Sequence, residues 1–560
     1  MDYSKLCDVY EKMENTSKGL LKANILSDFL GEIKEHSEYI YLIQGKVFAD
    51  YDSRELGMSG QLMIRAIAKA SGHDDKDVIN EFKKLGDLGD VAQELVGKKK
   101  RQTALFSSKL SINKVIENLK KISELEGKGT VDTKIGLVVE LLHSANPKEA
   151  KYIIRTVIGD LRMGVGSGII RDAIVECCLR PKDLTEKKEF ASKVQDAYDK
   201  ATDFALVFDK ACDNSLNLIS LSPGKPVKVM LYPKAKGAKD AFNIVGKPAA
   251  FEYKYDGFRM MVNKDDKGEI KIFTRRLENV SRQFPDVVKF VKKNVLGKSF
   301  IIDGEAVGFD SKTKTYKEFQ AISQRIKRKY EIERLAEEYP VEFRVFDIIY
   351  YEGKSLLEEG YENRRKLLEK IVHEKKWEIG LAERIVTESV EEAEDFFDKA
   401  LNDGQEGLMV KGLDKQYKPG ARVGYGVKWK PEDKDFDLVI TGAEWGTGKR
   451  AGWLTSFDVA CRSEDELLDI GKVSTGLKEK EEEGLSFKEM TEMLKEIEVE
   501  EHGRKIKVKP KIVVAVQYQN IQKSPTYSSG YAMRFPRIVR LRPDRGVSDI
   551  ATLDEIEKEA

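Results

Sequence analysis

Up to about Ser220 the apolar side chains recur at three- and four-residue steps, the spacing that gathers them on one face of a helix. Ile135, Val138, Val139 and Leu142 within KIGLVVELLH are an example, and few strand-like runs interrupt the pattern. It predicts an all-helical region. Pro223-Gly224-Lys225-Pro226 is the first strong breaker cluster, and the first boundary is placed there. From that point to about Pro431 the texture changes to short β-rich runs between Gly-bearing turns: FEYKY, KIFTRR, SFIIDGEAVGF, EFRVFDIIYY, EGLMVK and GVKWK. Helices intervene. One begins at Ser389, whose spacing to Glu392 predicts a capping box, with Phe396 and Ala400 on its apolar face. The polar PEDKD stretch at 431–435 marks a second boundary. Beyond it strands and turns alternate again (FDLVITGAEW, SFDVAC, DIGKVSTG, KIVVAVQY, RIVRLRP), a count that suits a small β-barrel of the OB type. The fold class predicted is therefore multidomain α+β, with helices over 1–222, sheets over 223–431 and an OB-fold barrel over 432–560. No internal repeat or low-complexity segment is visible.

Length supports that division, since 560 residues exceed what one hydrophobic core organises. Charge changes the picture less than its density suggests. Lys+Arg is 97 and Asp+Glu is 96, so no global excess advertises an anionic partner, and any nucleic-acid surface must come from local segregation of charge. Interspersed Lys and Glu of this kind are common on the helix faces of thermophile proteins. The run Lys478–Glu483 reads as a solvated face or loop. No apolar run approaches the ~20 residues that span a bilayer, and Met1-Asp2-Tyr3 opens no signal-peptide pattern, so a cytoplasmic protein without membrane partners is expected. The five cysteines, Cys7, Cys177, Cys178, Cys212 and Cys461, include an adjacent pair but no CxxC spacing. That argues against structural zinc and for reduced thiols.

Candidate chemistry starts at Phe251-Glu252-Tyr253-Lys254-Tyr255-Asp256-Gly257. Side chains alternate along a strand, so Glu252 and Lys254 share one face and the aromatics the other, while Asp256-Gly257 ends the strand in a turn. A lysine so placed, beside other cations, is suited to attack phosphorus. Taken alone it also reads as an edge-strand lysine before a hairpin. Four further segments add chemistry. In Ile301-Ile302-Asp303-Gly304-Glu305 two carboxylates share a face and could bind a ribose hydroxyl and a hard divalent cation. Glu406 precedes the apolar run Leu408-Met409-Val410, which places a carboxylate at a strand's mouth. Lys428 and Lys430 share a face and can reach one phosphate. Arg534-Phe535-Pro536-Arg537 leads into Arg540, Arg542, Asp544 and Arg545, a cationic cluster suited to polyphosphate. Each segment singly could be the polar face of a sheet; their joint order is hard to explain that way.

That order, KYDGFR, FTRR, IIDGEAV, FRVFDII, EGLMVK, KWK, RFPR, resembles the covalent nucleotidyltransferases, and ATP-dependent DNA ligases of the archaeal type over nearly the whole chain. The likeness extends to KYIIRTVIGDLRMGVGSG (151–168), GAEWGTGKRAGWLTSF (442–457) and QKSPTYSSGYAMRFPR (522–537). It implies a helical DNA-binding domain, a central adenylyltransferase domain and the OB-fold barrel, closing around nicked double-stranded DNA as a monomer. It implies that Lys254 takes AMP from ATP, that Glu252 contacts the adenine amino group and that Phe346 stacks on the base. Arg259 and Arg275 would hold the ribose and phosphates or the nick 5′-phosphate. Glu305 would bind ribose and help place Mg²⁺ (or Mn²⁺), which Glu406 also serves, and Arg422, Lys428 and Lys430 would surround the α-phosphate. Arg534, with Arg542-Pro543-Asp544-Arg545, would orient pyrophosphate, although Arg545 stands where relatives usually carry lysine. KPVKVML lacks the proline expected before Met230, and Ala515 stands where relatives often carry an acid.

A capping guanylyltransferase or RNA ligase shares the lysine motif but not the long helical region, and an NAD-dependent ligase would carry a four-cysteine zinc pattern. A catalytically silent DNA-binding scaffold would not need Lys254, Glu305, Glu406 and Lys428 together. One motif stays open between two readings. Gln102, Leu105 and Phe106, just after the basic run Lys98-Lys99-Lys100-Arg101, have the spacing of a sliding-clamp-binding peptide, or Leu105 and Phe106 begin the next helix's core contact.

Overall fold

In a computed structural model the three-and-four spacing of the first part becomes a series of helices, from Tyr3–Glu14 to Phe204–Cys212. The structure describes every residue except 53, 99–108, 126, 128, 318–321, 323, 324, 327, 329, 421, 422, 433, 448, 449, 451, 465 and 480–483. Gln102, Leu105 and Phe106 thus lie outside the described residues. Helix Val131–Ser144 buries Ile135, Val138, Leu141 and Leu142, while Val139 stays half-buried at the rim of the core. Side chains of Ser59, Ser111, Asp183 and Asp203 accept first-turn N–H groups, and Asn146 forms a full capping box with Glu149, Pro147 opening the helix. One apolar core runs from Tyr3 to Ile219. Within KYIIRTVIGDLR, Arg155 is buried and donates to Asp87 at 3.1 Å and Glu14 at 3.0 Å, so its charge ties helices together.

The thiols differ from expectation. Cys178 and Cys212 form a disulfide, because the π-helical turn Val175–Leu179 packs against helix Phe204–Cys212 and brings their Cα atoms to 4.6 Å. Cys7, Cys177 and Cys461 are free and buried.

By internal contacts the chain divides into Met1–Lys430 and Pro431–Ala560. The segment after the breaker cluster explains why the helices and the central sheets form one unit. Val227, Val229 and Met230 are buried against Met261, Ile301 and Ile349. The Thr202 hydroxyl donates to the Pro226 carbonyl at 3.1 Å, the Lys228 N–H to Asp199 at 2.9 Å, and Asn263 to the Lys225 carbonyl at 2.6 Å. Pro223-Gly224-Lys225-Pro226 therefore leads into a pinned strap.

Eleven strands follow among the described residues: β1 (Lys234–Ala235), β2 (Ala249–Tyr253), β3 (Phe258–Lys264), β4 (Ile270–Thr274), β5 (Phe300–Gly308), β6 (Val341–Tyr351), β7 (Lys354–Ser355), β8 (Ile379–Leu381), β9 (Arg384–Thr387), β10 (Leu408–Gly412) and β11 (Gly426–Trp429). One sheet has the order β1-β11-β10-β2-β9; the other runs β4-β3-β5-β6-β7, with β8 parallel to β6. Every residue of β2 is buried, because apolar residues cover one face and polar partners the other. Helix Val390–Asn402 buries Phe396 and Ala400 as predicted. Only half of its capping box forms: the Ser389 hydroxyl oxygen accepts from Glu392 N–H, but the Glu392 carboxylate accepts from the Thr387 hydroxyl instead.

The C-terminal unit is strand-rich, as the alternation predicts. A long strand, β12 (Lys434–Trp445), pairs along one edge with β13 (Leu454–Ser463), which pairs with β14 (Glu466–Val473). Along its other edge β12 changes partner. Gly442–Glu444 pair with Lys505–Lys507, and Lys434–Val439 with Val513–Tyr518. A bulge between Ile440 and Gly442 supplies the bend. Helix Phe487–Lys495 buries Phe487, Met490 and Leu494 in this unit's core. Among the described residues no helix is long and apolar enough to cross a membrane.

Candidate active site

Lys254 lies one residue beyond β2, where the ladder with β10 continues. Its N–H donates to the Gly407 carbonyl and its own carbonyl accepts from Glu406 N–H, both at 2.9 Å. Lys254 and Glu406 are thus set side by side by main-chain pairing, and the Lys254 Nζ donates to Glu406 Oε2 at 2.5 Å. Across the same sheet Leu408 is registered with Trp429, which brings Lys430 to the other side of Glu406, where it also forms an ion pair. Burial would raise the Glu406 carboxyl, but Lys254 and Lys430 hold it below the usual carboxylate range. Burial lowers both Lys428 and Lys430, and Lys254 pushes each the same way. The result is three ammoniums around one carboxylate, an arrangement with charge to spare for a phosphate.

Two glycines make this geometry reachable. Gly407 has φ +127°, and a Cβ there would lie 2.3 Å from the Trp429 carbonyl oxygen. Gly257, in the Lys-x-Asp-Gly turn, passes so close to β5 that a Cβ would lie 2.5 Å from the Ala306 carbonyl oxygen. A Gly407→Ala chain is expected to lose about 3 kcal/mol of stability or more, from strain and overlap combined, as measured by denaturant unfolding. Wild-type stability in that variant would show that β11 can move away.

Glu305 faces this cluster from the other sheet, registered with Arg259 on β3. Burial pushes its carboxyl up to about 8, with Lys254 and Arg259 opposing and Glu406 and Asp303 adding to the shift. The folded-state value is above the ordinary 4.5, so its stabilising contribution is complete below about 4.5 and is lost as pH rises through 8. Melting of the metal-free protein is expected to move to lower temperature across that window, and Glu305→Gln should flatten that part of the profile.

Asp303 shares the face of Glu305, as predicted, but its oxygens are committed inside the protein. Asp303 is completely buried and accepts from Arg259 Nε at 3.0 Å and Nη2 at 2.6 Å and from the Tyr417 hydroxyl at 2.9 Å. Arg259 also donates to the Met230 carbonyl at 3.0 Å, so most of its guanidinium is committed to an internal network. Phe346 stands outside the β5–β6 pairing at a β-bulge: the register steps from Asp303↔Asp347 to Gly304↔Val345, leaving Phe346 as the extra residue. Its half-buried ring lies 5.4 Å from the Arg259 guanidinium and 5.0 Å from the Lys411 ammonium. Glu252 is buried, with its oxygens engaged by Tyr361 and Lys411.

Arg275 is exposed on the turn after β4, near enough for its charge to act on Lys428. Arg422 falls outside the described residues. Arg534 belongs to the C-terminal unit, where its guanidinium lies 5.3 Å from the Phe535 ring. In the same unit Arg542 donates to Asp437 at 2.6 Å and Asp544 at 2.8 Å. Sequence reasoning missed Tyr417, Tyr361 and Lys411. Tyr417 and Tyr361 are isolated tyrosines without pattern, and Lys411 read only as the end of an apolar run.

The chain matches the family described as "ATP dependent DNA ligase domain" over 229–430, "DNA ligase N terminus" over 2–175 and "ATP dependent DNA ligase C terminal region" over 450–545. It is 44% identical to a DNA ligase of Nanoarchaeum equitans, an alignment covering 100% of this chain and 98% of the relative. The chain belongs to the ATP-dependent DNA ligases. A DNA ligase of Thermococcus fumicolans is 41% identical over 100% of this chain and 98% of its own length. The solved structure "Pmar-Lig_PreS3" aligns over 96% of this chain and 99% of its own, with a TM-score of 0.56 at 15% identity, a likeness of fold. For an ATP-dependent ligase ATP is the substrate, and a lysine that becomes adenylylated is the family's general mechanism.

Proposed function

We propose that this ligase seals nicks in duplex DNA through Lys254. The observation that carries the assignment is the placement of the Lys254 ammonium beside Glu406, with Lys428 on β11 and Lys430 just after it, across β10 from β2. The Lys254 ammonium first gives up a proton to solvent; the neutral amine then attacks the α-phosphorus of ATP, a P–N bond forms as the bond to the bridging oxygen breaks, pyrophosphate leaves and the nitrogen loses its second proton. The DNA 5′-phosphate then takes the AMP, and the 3′-hydroxyl displaces it. Each transfer develops charge on non-bridging oxygens, so Lys428 and Lys430 serve all of them by position and charge, and the family resemblance adds the charge of Arg422. Glu252 and Phe346 would hold the base, Arg259 and Arg275 the ribose and phosphates, and Arg534 the leaving pyrophosphate.

The donor set fits a hard cation. Among the described residues no group of three or more acidic, His or Cys ligands forms a dedicated cage, and Mg²⁺ characteristically uses one or two carboxylates with substrate phosphates. Glu305, displaced upward by burial, gains from a nearby cation. Glu305 and Glu406 would hold Mg²⁺ (or Mn²⁺), which would neutralise phosphoryl charge.

Residues 1–222 form the helical DNA-binding domain, 223–431 the adenylation domain and 432–560 an OB-fold domain. The protein acts as a cytoplasmic monomer in replication, repair and recombination, and Gln102, Leu105 and Phe106 offer a clamp-docking peptide. Incubation of the full chain with α-labelled ATP and Mg²⁺, followed by a denaturing gel, should give labelled protein that unlabelled nicked DNA discharges as the nick closes. A protein that binds nicked DNA but takes no label would overturn the reading. Nick binding should weaken steeply with salt, with a log–log slope set by the phosphates contacted and little dependence on DNA sequence.

A further inference from the structure

Glu252 is more heavily surrounded than a buried acid needs to be. One cation would satisfy its charge. Instead Oε2 forms an ion pair with the Lys411 ammonium at 2.5 Å and Oε1 accepts from the Tyr361 hydroxyl at 2.5 Å, while Arg365 Nη1 stands 3.6 Å from Oε1. Lys411 comes from β10; Tyr361 and Arg365 come from one face of helix Tyr361–Ile371. All four side chains are buried, and Arg365 Nη1 makes no hydrogen bond. Lys411 also donates to the Phe346 carbonyl at 3.4 Å, so one ammonium fixes Glu252 relative to the Phe346 ring.

We propose that Tyr361, Lys411 and Arg365 are positioning residues that make the site selective for adenine. The proposal rests on the reading that Glu252 meets the base edge while Phe346 stacks on the base. A carboxylate offers about four lone-pair positions. Two are taken here, and every neighbour is a donor, so the remaining positions can accept only from another donor. At the purine 6-position adenine presents an amino donor, whereas guanine and hypoxanthine present a carbonyl acceptor. Held from two elements, Glu252 cannot turn away from the wrong base, and a 6-carbonyl would face it without a proton between them.

The test is self-adenylylation or self-inosinylation of the full chain with α-labelled ATP or inosine triphosphate, following KM and kcat for each. Tyr361→Phe should raise KM for ATP about tenfold, more than it lowers kcat, and shrink the ATP/ITP preference by a similar factor. Lys411→Met should do the same more strongly, with Lys411→Arg restoring part of the preference. Glu252→Gln, which brings its own amide donor, should lose most of the preference. If Glu252→Gln collapses the preference while the Tyr361 and Lys411 variants keep it, positioning is refuted and Glu252 acts unaided. An unchanged preference in Glu252→Gln refutes the underlying assignment of the base edge, and the proposal with it. Loss of kcat alone in Tyr361→Phe would make the hydroxyl a structural part only; should that variant fail to fold, the Lys411→Met and Lys411→Arg pair decides.

Discussion

Lys254→Ala is expected to take no label from α-labelled ATP under conditions where the unaltered chain labels fully, because no other ammonium occupies the end of β2. Lys428 on β11 and Lys430 just after it lie on the far side of β10 from β2, so neither ammonium is placed at the end of β2 and neither can substitute. The variant should still bind nicked DNA. It should also seal DNA that arrives already carrying a 5′-adenylyl group, though slowly, because that last step needs positioning and charge but not the nucleophile. A labelled Lys254→Ala protein would mean that another nucleophile carries AMP.

Glu406→Ala is expected to slow adenylylation by two to three orders of magnitude, about 3–4 kcal/mol of barrier, when a charged contact to the reacting centre is lost. It should also cost stability, but less. The carboxylate neutralises both Lys254 and Lys430, so its removal leaves two ammoniums facing each other. The three side chains retain some solvent contact, which screens that repulsion, and a loss of about 1–2 kcal/mol is expected by denaturant unfolding. Glu406→Gln separates the effects: it keeps the side chain's bulk but not its charge. Full single-turnover activity in both variants with ordinary Mg²⁺ would remove Glu406 from the machinery.

The local alternation around Lys254 was readable because a strand's period is two, and the turn that follows is built from Asp256-Gly257, where glycine permits a close approach to β5. The pairing of Lys254 with Glu406 was not readable. It depends on β2 and β10, 155 residues apart from Tyr253 to Leu408, adopting one register rather than another. Period two also places Asp303 on the face of Glu305, where its charge acts on Glu305; its capture by Arg259 on β3 and Tyr417 from a loop was not readable. Phe346 was named only by resemblance, because the bulge that sets it outside the pairing arises from the mismatch of β5 with β6.

The helical beginning, the strand-rich middle and end, the breaker clusters between them and the residue types able to do phosphoryl chemistry are all legible along the chain. These rest on local periodicity and turn chemistry, which neighbouring residues decide. Packing across the fold is what makes the segment after Pro223 a buried strap, brings Cys178 to Cys212 and encloses Glu252 with Tyr361, Lys411 and Arg365. Such facts join residues tens to more than a hundred positions apart, and they are settled by strand register and by the burial of charge, which no local pattern encodes.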